Sequence, residues 1–256
     1  MFDLDGTVYL GERLIPGADE VIRTLRRHGI GVVFLSNKPL ESRESYAAKL
    51  TRLGIPTDPE DVITSAYVTA EHLARAHPGA RVYALGEEVL ARILRQAGVV
   101  LVPGPGRCDP AEVDLVLASF DRTLTWEKLS FAHQALRRGA RLVATNPDPT
   151  CPVEGGDVPD AGAIIAALET SSGARLEWVA GKPSELMVQA ALQRLGVEAA
   201  ETALVGDRAQ TDMLMARRSG VTGVLVLTGV TTREDTARLP ADRRPDYVLS
   251  SIAELL

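Results

Sequence analysis

The sequence predicts an α/β protein: a Rossmann-like parallel sheet core with a large α/β module inserted into it. Three observations carry this. Apolar runs alternate with amphipathic stretches from end to end, the pattern of strands feeding helices in a mostly parallel sheet. A second series of the same kind begins after the turn-rich His77-Pro-Gly-Ala80 and closes at the equally turn-rich Ser171-Ser-Gly-Ala174. Polar residues follow the apolar runs at several strand ends, where open parallel sheets bind ligands. At 256 residues, 45% hydrophobic and 24% charged, the chain is long enough for one large or two modest globular domains. The expected division is a core of 1–77 and 175–256 and an inserted module of 78–174.

The elements follow in order. A short apolar start runs into Asp3. Pro16 to Arg27 reads as a helix with Val21, Ile22 and Leu25 on one face; Gly29 ends it, and Ile30 to Leu35 is a buried strand. A helix over 40–53, a short strand Val62 to Thr64 and a helix from Ala66 to Ala76 complete the first series. The second has strands at Arg81 to Leu85, Val99 to Val102, Val113 to Ala118 and Arg141 to Ala144, with helices at 87–97, 125–138 and 161–171. The third has strands at 176–179, Thr202 to Val205, 223–227 and 246–249, helices at 183–195 and 209–218, and a short closing helix. A central strand usually needs about five or six residues. Only Met1 and Phe2 precede Asp3, so the natural protein is expected to extend upstream.

Charge and composition exclude several classes. The net charge is −6 with no long basic run, which argues against nucleic-acid binding. The longest apolar stretches, such as Val221 to Val230, are broken by Gly and Thr and too short to span a membrane. No charged-then-apolar leader precedes Asp3, and Cys108 and Cys151 form neither a metal-type pair nor a disulfide framework. A reduced cytoplasmic setting is therefore the expectation.

Four strand ends carry the chemistry: Asp3 with Asp5; Ser36-Asn37 after Val33-Phe34-Leu35; Gly181-Lys182-Pro183 after Val179-Ala180; and Gly206-Asp207 after Leu204-Val205, with Asp212 five residues on. A strand running out at Asp3 aims Asp3 and Asp5 into one small space, a cluster of charge that is costly unless a cation or a reaction uses it. Asp3, Asp5 and Asp207 are hard oxygen ligands of the kind Mg²⁺ takes alongside water and phosphate. Ser36 and Lys182 offer a hydroxyl and a positive charge to phosphate oxygens, and backbone N–H groups near Leu4 and Asn37 add neutral donors. Lysine is scarce, at Lys38, Lys49, Lys128 and Lys182 only, which sharpens the interest of Lys182. Gly104-Pro-Gly106 lacks the third glycine and the helix of a dinucleotide site, no Walker-type loop occurs, and His28, His72, His77 and His133 show no ligand spacing.

In this order Asp3-Leu-Asp-Gly-Thr7, Leu35-Ser36-Asn37, Gly181-Lys182-Pro183 and Gly206-Asp207 through Asp212 resemble the four motifs of the haloacid-dehalogenase-like superfamily. The arrangement looks most like its NagD and para-nitrophenyl phosphatase branch, whose α/β cap lies between the second and third motifs. The resemblance implies a HAD-like core and a Mg²⁺-dependent phosphatase of small phosphorylated metabolites. Asp3 would be the nucleophile that forms an aspartyl-phosphate, and Asp5 the acid and base. Mg²⁺ would be held by the Asp3 carboxylate, the Asp5 carbonyl and Asp207, with Asp212 as a further ligand or support. Ser36, Asn37 and Lys182 would bind the transferring phosphoryl group.

Substrate choice is expected in the inserted module, in the segment Ala144-Thr-Asn-Pro-Asp-Pro-Thr-Cys-Pro152. A similar segment faces the active site in the branch, which singles out Asn146, Asp148 and Cys151; some relatives have a bulky or basic residue where Cys151 stands. A large cap that closes favours small esters over phosphoproteins, and the branch makes a homodimer through the cap plausible. The competing readings are a phosphomutase, a catalytically idle phosphometabolite sensor, and an interaction module, for which the sequence offers no exposed apolar stripe.

Overall fold

The computed structural model describes residues 1–153 and 155–256. The chain opens with β1 (Phe2–Asp3), a small hairpin β2 (Tyr9–Leu10) and β3 (Arg13–Leu14), α1 (Ala18–Arg27), β4 (Phe34–Ser36), α2 (Arg43–Arg52), β5 (Val62–Thr64) and α3 (Ser65–Ala76). Then come β6 (Arg81–Leu85), α4 (Glu88–Gln96), β7 (Val100–Leu101), β8 (Leu115–Ala118), α5 (Trp126–Arg137), β9 (Arg141–Ala144), a hairpin of β10 (Thr150–Val153) and β11 (Gly156–Pro159), α6 (Ala161–Ser172) and β12 (Leu176–Val179). The last part holds α7 (Glu185–Leu195), β13 (Ala203–Gly206), a π-helical turn Ala209–Met213 continuing into α8 (Leu214–Ser219), β14 (Thr222–Val226), α9 (Arg233–Thr236) and β15 (Tyr247–Leu249).

Two compact units result. The first comprises Met1–Ser36, Arg43–Ile63 and Lys182–Leu256. Its sheet runs β15-β14-β13-β1-β4-β5, and the registered pairs are parallel, with Phe2 beside both Val205 and Phe34 and Asp3 beside Leu35. Counted along the chain this is the strand order 6-5-4-1-2-3 of a doubly wound sheet, whose switch point lies between β1 and β13. Phe2, Phe34, Val205 and Val224 bury against Val21 and Ile22 of α1 and Tyr46 of α2. Although β1 has only two residues it is central, because Met1 and Phe2 bond on both sides: Val205 N–H donates to Met1 O at 3.0 Å and Phe2 N–H to Val33 O at 2.9 Å.

The second unit comprises Asn37–Ser42 and Thr64–Gly181, with a parallel sheet β12-β9-β8-β6-β7. It takes in α3 and β12, which the sequence boundaries at 78 and 174 assigned to the core. The reason is packing: Ala66, Ala70 and Leu73 of α3 bury with Val82, Leu90 and Leu115, and β12 pairs in parallel with β9. The two turn-rich segments read as hinges therefore lie inside this unit. The sequence predicts no strand between Ala144 and the helix at 161, since Pro152 and Pro159 interrupt any strand pattern; the structure has the β10–β11 hairpin there. Among the described residues no helix is long and apolar enough to cross a membrane.

Candidate active site

Three carboxylates and one ammonium meet at the carboxyl ends of β1 and β13. Asp3, Asp207 and Asp212 are all buried, and each offers an oxygen within 4.8 Å of the others. Lys182 Nζ pairs with Asp3 Oδ1 and lies 2.9 Å from Asp212 Oδ1. Asp3 is the last residue of β1; Asp207 follows β13 directly. Asp212 sits in the π-helical turn, where its N–H donates to Arg208 O at 2.8 Å and its Oδ2 accepts from Arg208 N–H at 3.1 Å. That short circuit turns its carboxylate back toward the strand end.

Glycines make room for these carboxylates. A Cβ on Gly206 would lie 2.5 Å from both Cβ and Cγ of Asp212. One on Gly6, whose φ of +91° already favours glycine, would lie 2.7 Å from Asp207 Oδ2. The chain therefore presses charged side chains against bare backbone, an arrangement that is costly unless the charge is used.

The electrostatics follow. Burial pushes Asp3 up to about 6 against the pull of Lys182, with Asp207 and Asp5 adding to the rise. Burial likewise carries Asp212 to about 6, against Lys182. Asp207 is raised by burial and then by Asp212. Burial works to lower the Lys182 ammonium, but Asp212 and Asp3 beside it hold it above its ordinary range. One ammonium does not balance three carboxylates, and Asp207 Oδ1 is buried without a hydrogen-bond partner. A hard divalent cation fits this donor set: oxygen ligands only, an excess of negative charge and an orphaned carboxylate oxygen.

The other sequence candidates fall as follows. Asp5 lies beyond β1 in the tight loop of 4–9, where Gly6 N–H donates to Tyr9 O at 2.8 Å; it is exposed, yet close enough to raise Asp3. Strand alternation is thus not what brings the two together; the loop is. Ser36 closes β4 one residue past the partner of Asp3, buried, with its hydroxyl donating to Tyr46 OH at 3.1 Å. Asn37 belongs to the second unit, where its Nδ2 donates to Asp148 Oδ2 at 2.6 Å and its carbonyl accepts from Ser65 Oγ at 2.6 Å. Asn146 is fully buried: its Oδ1 accepts from Thr145 Oγ1 at 2.7 Å, and its Nδ2 donates to Asp148 Oδ2 at 3.0 Å and Asp160 Oδ1 at 3.3 Å. Asp160 caps α6, so Asn146 and Asp148 tie the segment after β9 to that helix start. Cys151 is buried on β10, paired across the hairpin with Val158.

One segment escaped the sequence reading. Thr228 to Thr231, after β14, touches both Gly6 and Asp207: Thr228 Oγ1 donates to Gly6 O at 2.6 Å and Val230 N–H to Asp207 Oδ2 at 2.7 Å. The signal was present, since Leu-Thr-Gly-Val-Thr-Thr follows an apolar strand as the other motifs do.

Comparison with known proteins identifies the family. The family model described as haloacid dehalogenase-like hydrolase matches residues 1–100, and that described as HAD-hydrolase-like matches 179–255. The sugar-phosphatase AraL of Bacillus subtilis is 42% identical over 255 residues, covering 100% of this chain and 90% of that protein. The crystal structure of a 4-nitrophenylphosphatase from Thermotoga maritima superposes with a TM-score of 0.91 at 37% identity, covering 99% of this chain and 94% of that one. A glycerol phosphate phosphatase from Mycobacterium tuberculosis, solved in complex with magnesium, gives 0.90 at 36% identity, over 100% of this chain and 75% of that one. The chain therefore belongs to the haloacid dehalogenase-like hydrolases, among that family's NagD-like phosphatases.

Proposed function

We propose that the protein is a Mg²⁺-dependent phosphatase of small phosphate monoesters that works through an aspartyl-phosphate on Asp3. The observation that carries this is the buried cluster of Asp3, Asp207 and Asp212 around Lys182 at the switch point of the parallel sheet. Asp3, Asp207 and the Asp5 carbonyl would hold the cation, with Asp212 beside them; when bound it supplies the positive charge that lets a phosphate dianion approach the carboxylates.

A carboxylate oxygen of Asp3 attacks phosphorus, and the bond from phosphorus to the ester oxygen breaks. Asp5, exposed and two residues on, gives its proton to the departing alcohol oxygen. It then takes a proton from water, whose oxygen attacks phosphorus and returns Asp3 as the carboxylate with inorganic phosphate released. A positioned acid and base of this kind contributes ~10²–10⁴-fold. Lys182 neutralises the equatorial oxygens, and Ser36 turns its one hydroxyl proton from Tyr46 OH to one of them while its oxygen accepts from Tyr46. Sugar phosphates are the first substrates to try, given the sugar-phosphatase names of the relatives.

The test is phosphate release from a panel of sugar phosphates, nucleoside monophosphates, phosphoglycolate and pyridoxal phosphate, with and without Mg²⁺, in the parent and in Asp3→Asn. Release that needs both Mg²⁺ and Asp3 is expected. Transfer to a second hydroxyl without release would favour a phosphomutase. Binding without turnover in the parent would favour a sensor.

A further inference from the structure

The loop between β14 and α9 fixes the orientation of Asp207 from three directions. Val230 N–H donates to Asp207 Oδ2 at 2.7 Å, and Thr231 N–H donates to the Asp207 carbonyl at 3.1 Å. Thr231, buried, accepts through its Oγ1 from Ala209 N–H at 3.0 Å, which pins the loop to the start of the π-helical turn. Thr228 Oγ1 donates to Gly6 O at 2.6 Å, which ties the same loop to the turn that follows Asp3. Gly229 lies against the carboxylate itself: a Cβ there would meet Oδ2 and lie 2.5 Å from Cγ and 2.7 Å from Cβ of Asp207. Its backbone is outside the left-handed region, so space and not conformation demands glycine at this position.

The two oxygens of Asp207 are therefore unequal. Oδ2 is engaged by a backbone N–H and walled in by Gly229 and Gly6; Oδ1 is buried and has no hydrogen-bond partner. We propose that the Thr228–Thr231 loop is a positioning device for cation binding: it locks Oδ2 so that Oδ1 is the oxygen Asp207 presents to a divalent metal. Gly229 supplies the space and Thr228 sets the distance between the Asp207 side and the Asp3 turn. The inference rests on the metal-binding reading above and assigns to it a fifth strand-end segment.

The experiment is isothermal titration of the full chain with Mg²⁺ alone, in the parent, Gly229→Ala, Thr228→Val and Thr228→Ser, alongside steady-state kinetics at saturating Mg²⁺. Partners that orient a metal ligand typically contribute 10–100-fold in affinity. Gly229→Ala is expected to weaken Mg²⁺ binding by ~10–100-fold. Thr228→Val should weaken it by about three- to tenfold, the worth of one hydrogen bond, and Thr228→Ser should restore it. The Thr228→Val deficit in kcat should close at saturating Mg²⁺. Parental affinity in Gly229→Ala, or Thr228→Val and Thr228→Ser behaving alike, overturns the proposal. If Gly229→Ala fails to fold, the Thr228 pair decides alone. A parent that binds no Mg²⁺ fails the metal reading first, and the proposal falls with it.

Discussion

Replacing Lys182 by Met removes the buried cation and leaves Asp3 and Asp212 facing each other and Asp207. The two contacts of Lys182 set the magnitude. A pair of unit charges about 4 Å apart at an effective dielectric of about 20 gains ~4 kcal/mol, so two carboxylates return ~8 kcal/mol gross. Burying the ammonium costs several kcal/mol of that. The net, ~3–5 kcal/mol, is what breaking a buried pair from one side typically costs. At ~2–4 °C per kcal/mol for a unit of this size, the melting midpoint should drop by ~6–20 °C at pH 8 in the presence of a chelator.

The pH dependence separates charge from packing. Asp3 and Asp212 stand at about 6 in the folded parent, above the ordinary carboxylate value of 3.8. A carboxyl raised on folding binds more protons folded than unfolded between the two values. Its contribution is therefore most favourable below about 4 and is lost as pH rises through about 6. Without Lys182 both groups rise further, so the loss extends to higher pH. At pH 5 the carboxyls are largely protonated in either protein, and the ammonium has no charge to answer. The difference between parent and Lys182→Met should shrink from its pH 8 value to within about 1 kcal/mol. Thermal melts in chelator at pH 5, 6.5 and 8 measure it. An equal difference at all three would mean that Lys182 acts through the packing of its stem, and the charge argument would be wrong.

Two further substitutions probe the packing around the site. Gly206→Ala places a Cβ 2.5 Å from Cβ and Cγ of Asp212 without backbone strain, and should cost ~1–3 kcal/mol in a denaturant melt. In the second unit, Asn146→Ala leaves Thr145 Oγ1 without that acceptor, and Asp148 and Asp160 without that donor. A loss of ~1–3 kcal/mol and faster amide exchange in the first turn of α6 are expected; unchanged exchange there would show that Asn146 does not hold the helix start.

What was legible in the sequence was the part that charge makes conspicuous. An Asp at the end of an apolar strand has few inexpensive uses, so Asp3 and Asp207 stand out, and parallel strand order alone brings those two ends to one rim; Lys182 follows β12, a strand of the other unit's sheet, so strand order does not account for its place beside them. The strands Arg81–Leu85 and Arg141–Ala144 were also readable to the residue, because each is a short apolar run with a clear turn on either side, and so was Val62–Thr64, where Thr64 ends the run and caps the next helix. The sequence predicts a helix over 209–218; the structure has one, but its first turn, Ala209–Met213, is π-helical. Nothing in apolar spacing reports the closing of a turn by Arg208 N–H on a carboxylate. The unit boundary was misplaced for a similar reason. The Ala-rich face of α3 is equally suited to either unit by pattern, and only the fit of Ala66, Ala70 and Leu73 against Val82 and Leu115 decides it.

The deeper omission was the loop after β14. Thr, Gly and Val are ordinary loop residues, and their role comes from backbone N–H groups and an absent side chain, which carry no residue-type signature. Carboxylates announce a site by their cost; the neutral groups that choose which carboxylate oxygen is left free do not. The rule that exposed the first four strand ends applies equally to the fifth: a polar, Gly-bearing run follows β14, the strand that pairs with β13. In a doubly wound sheet the strand one removed from the switch point still delivers its loop close to the site whatever its composition, so position in the strand order is the better guide there than residue chemistry.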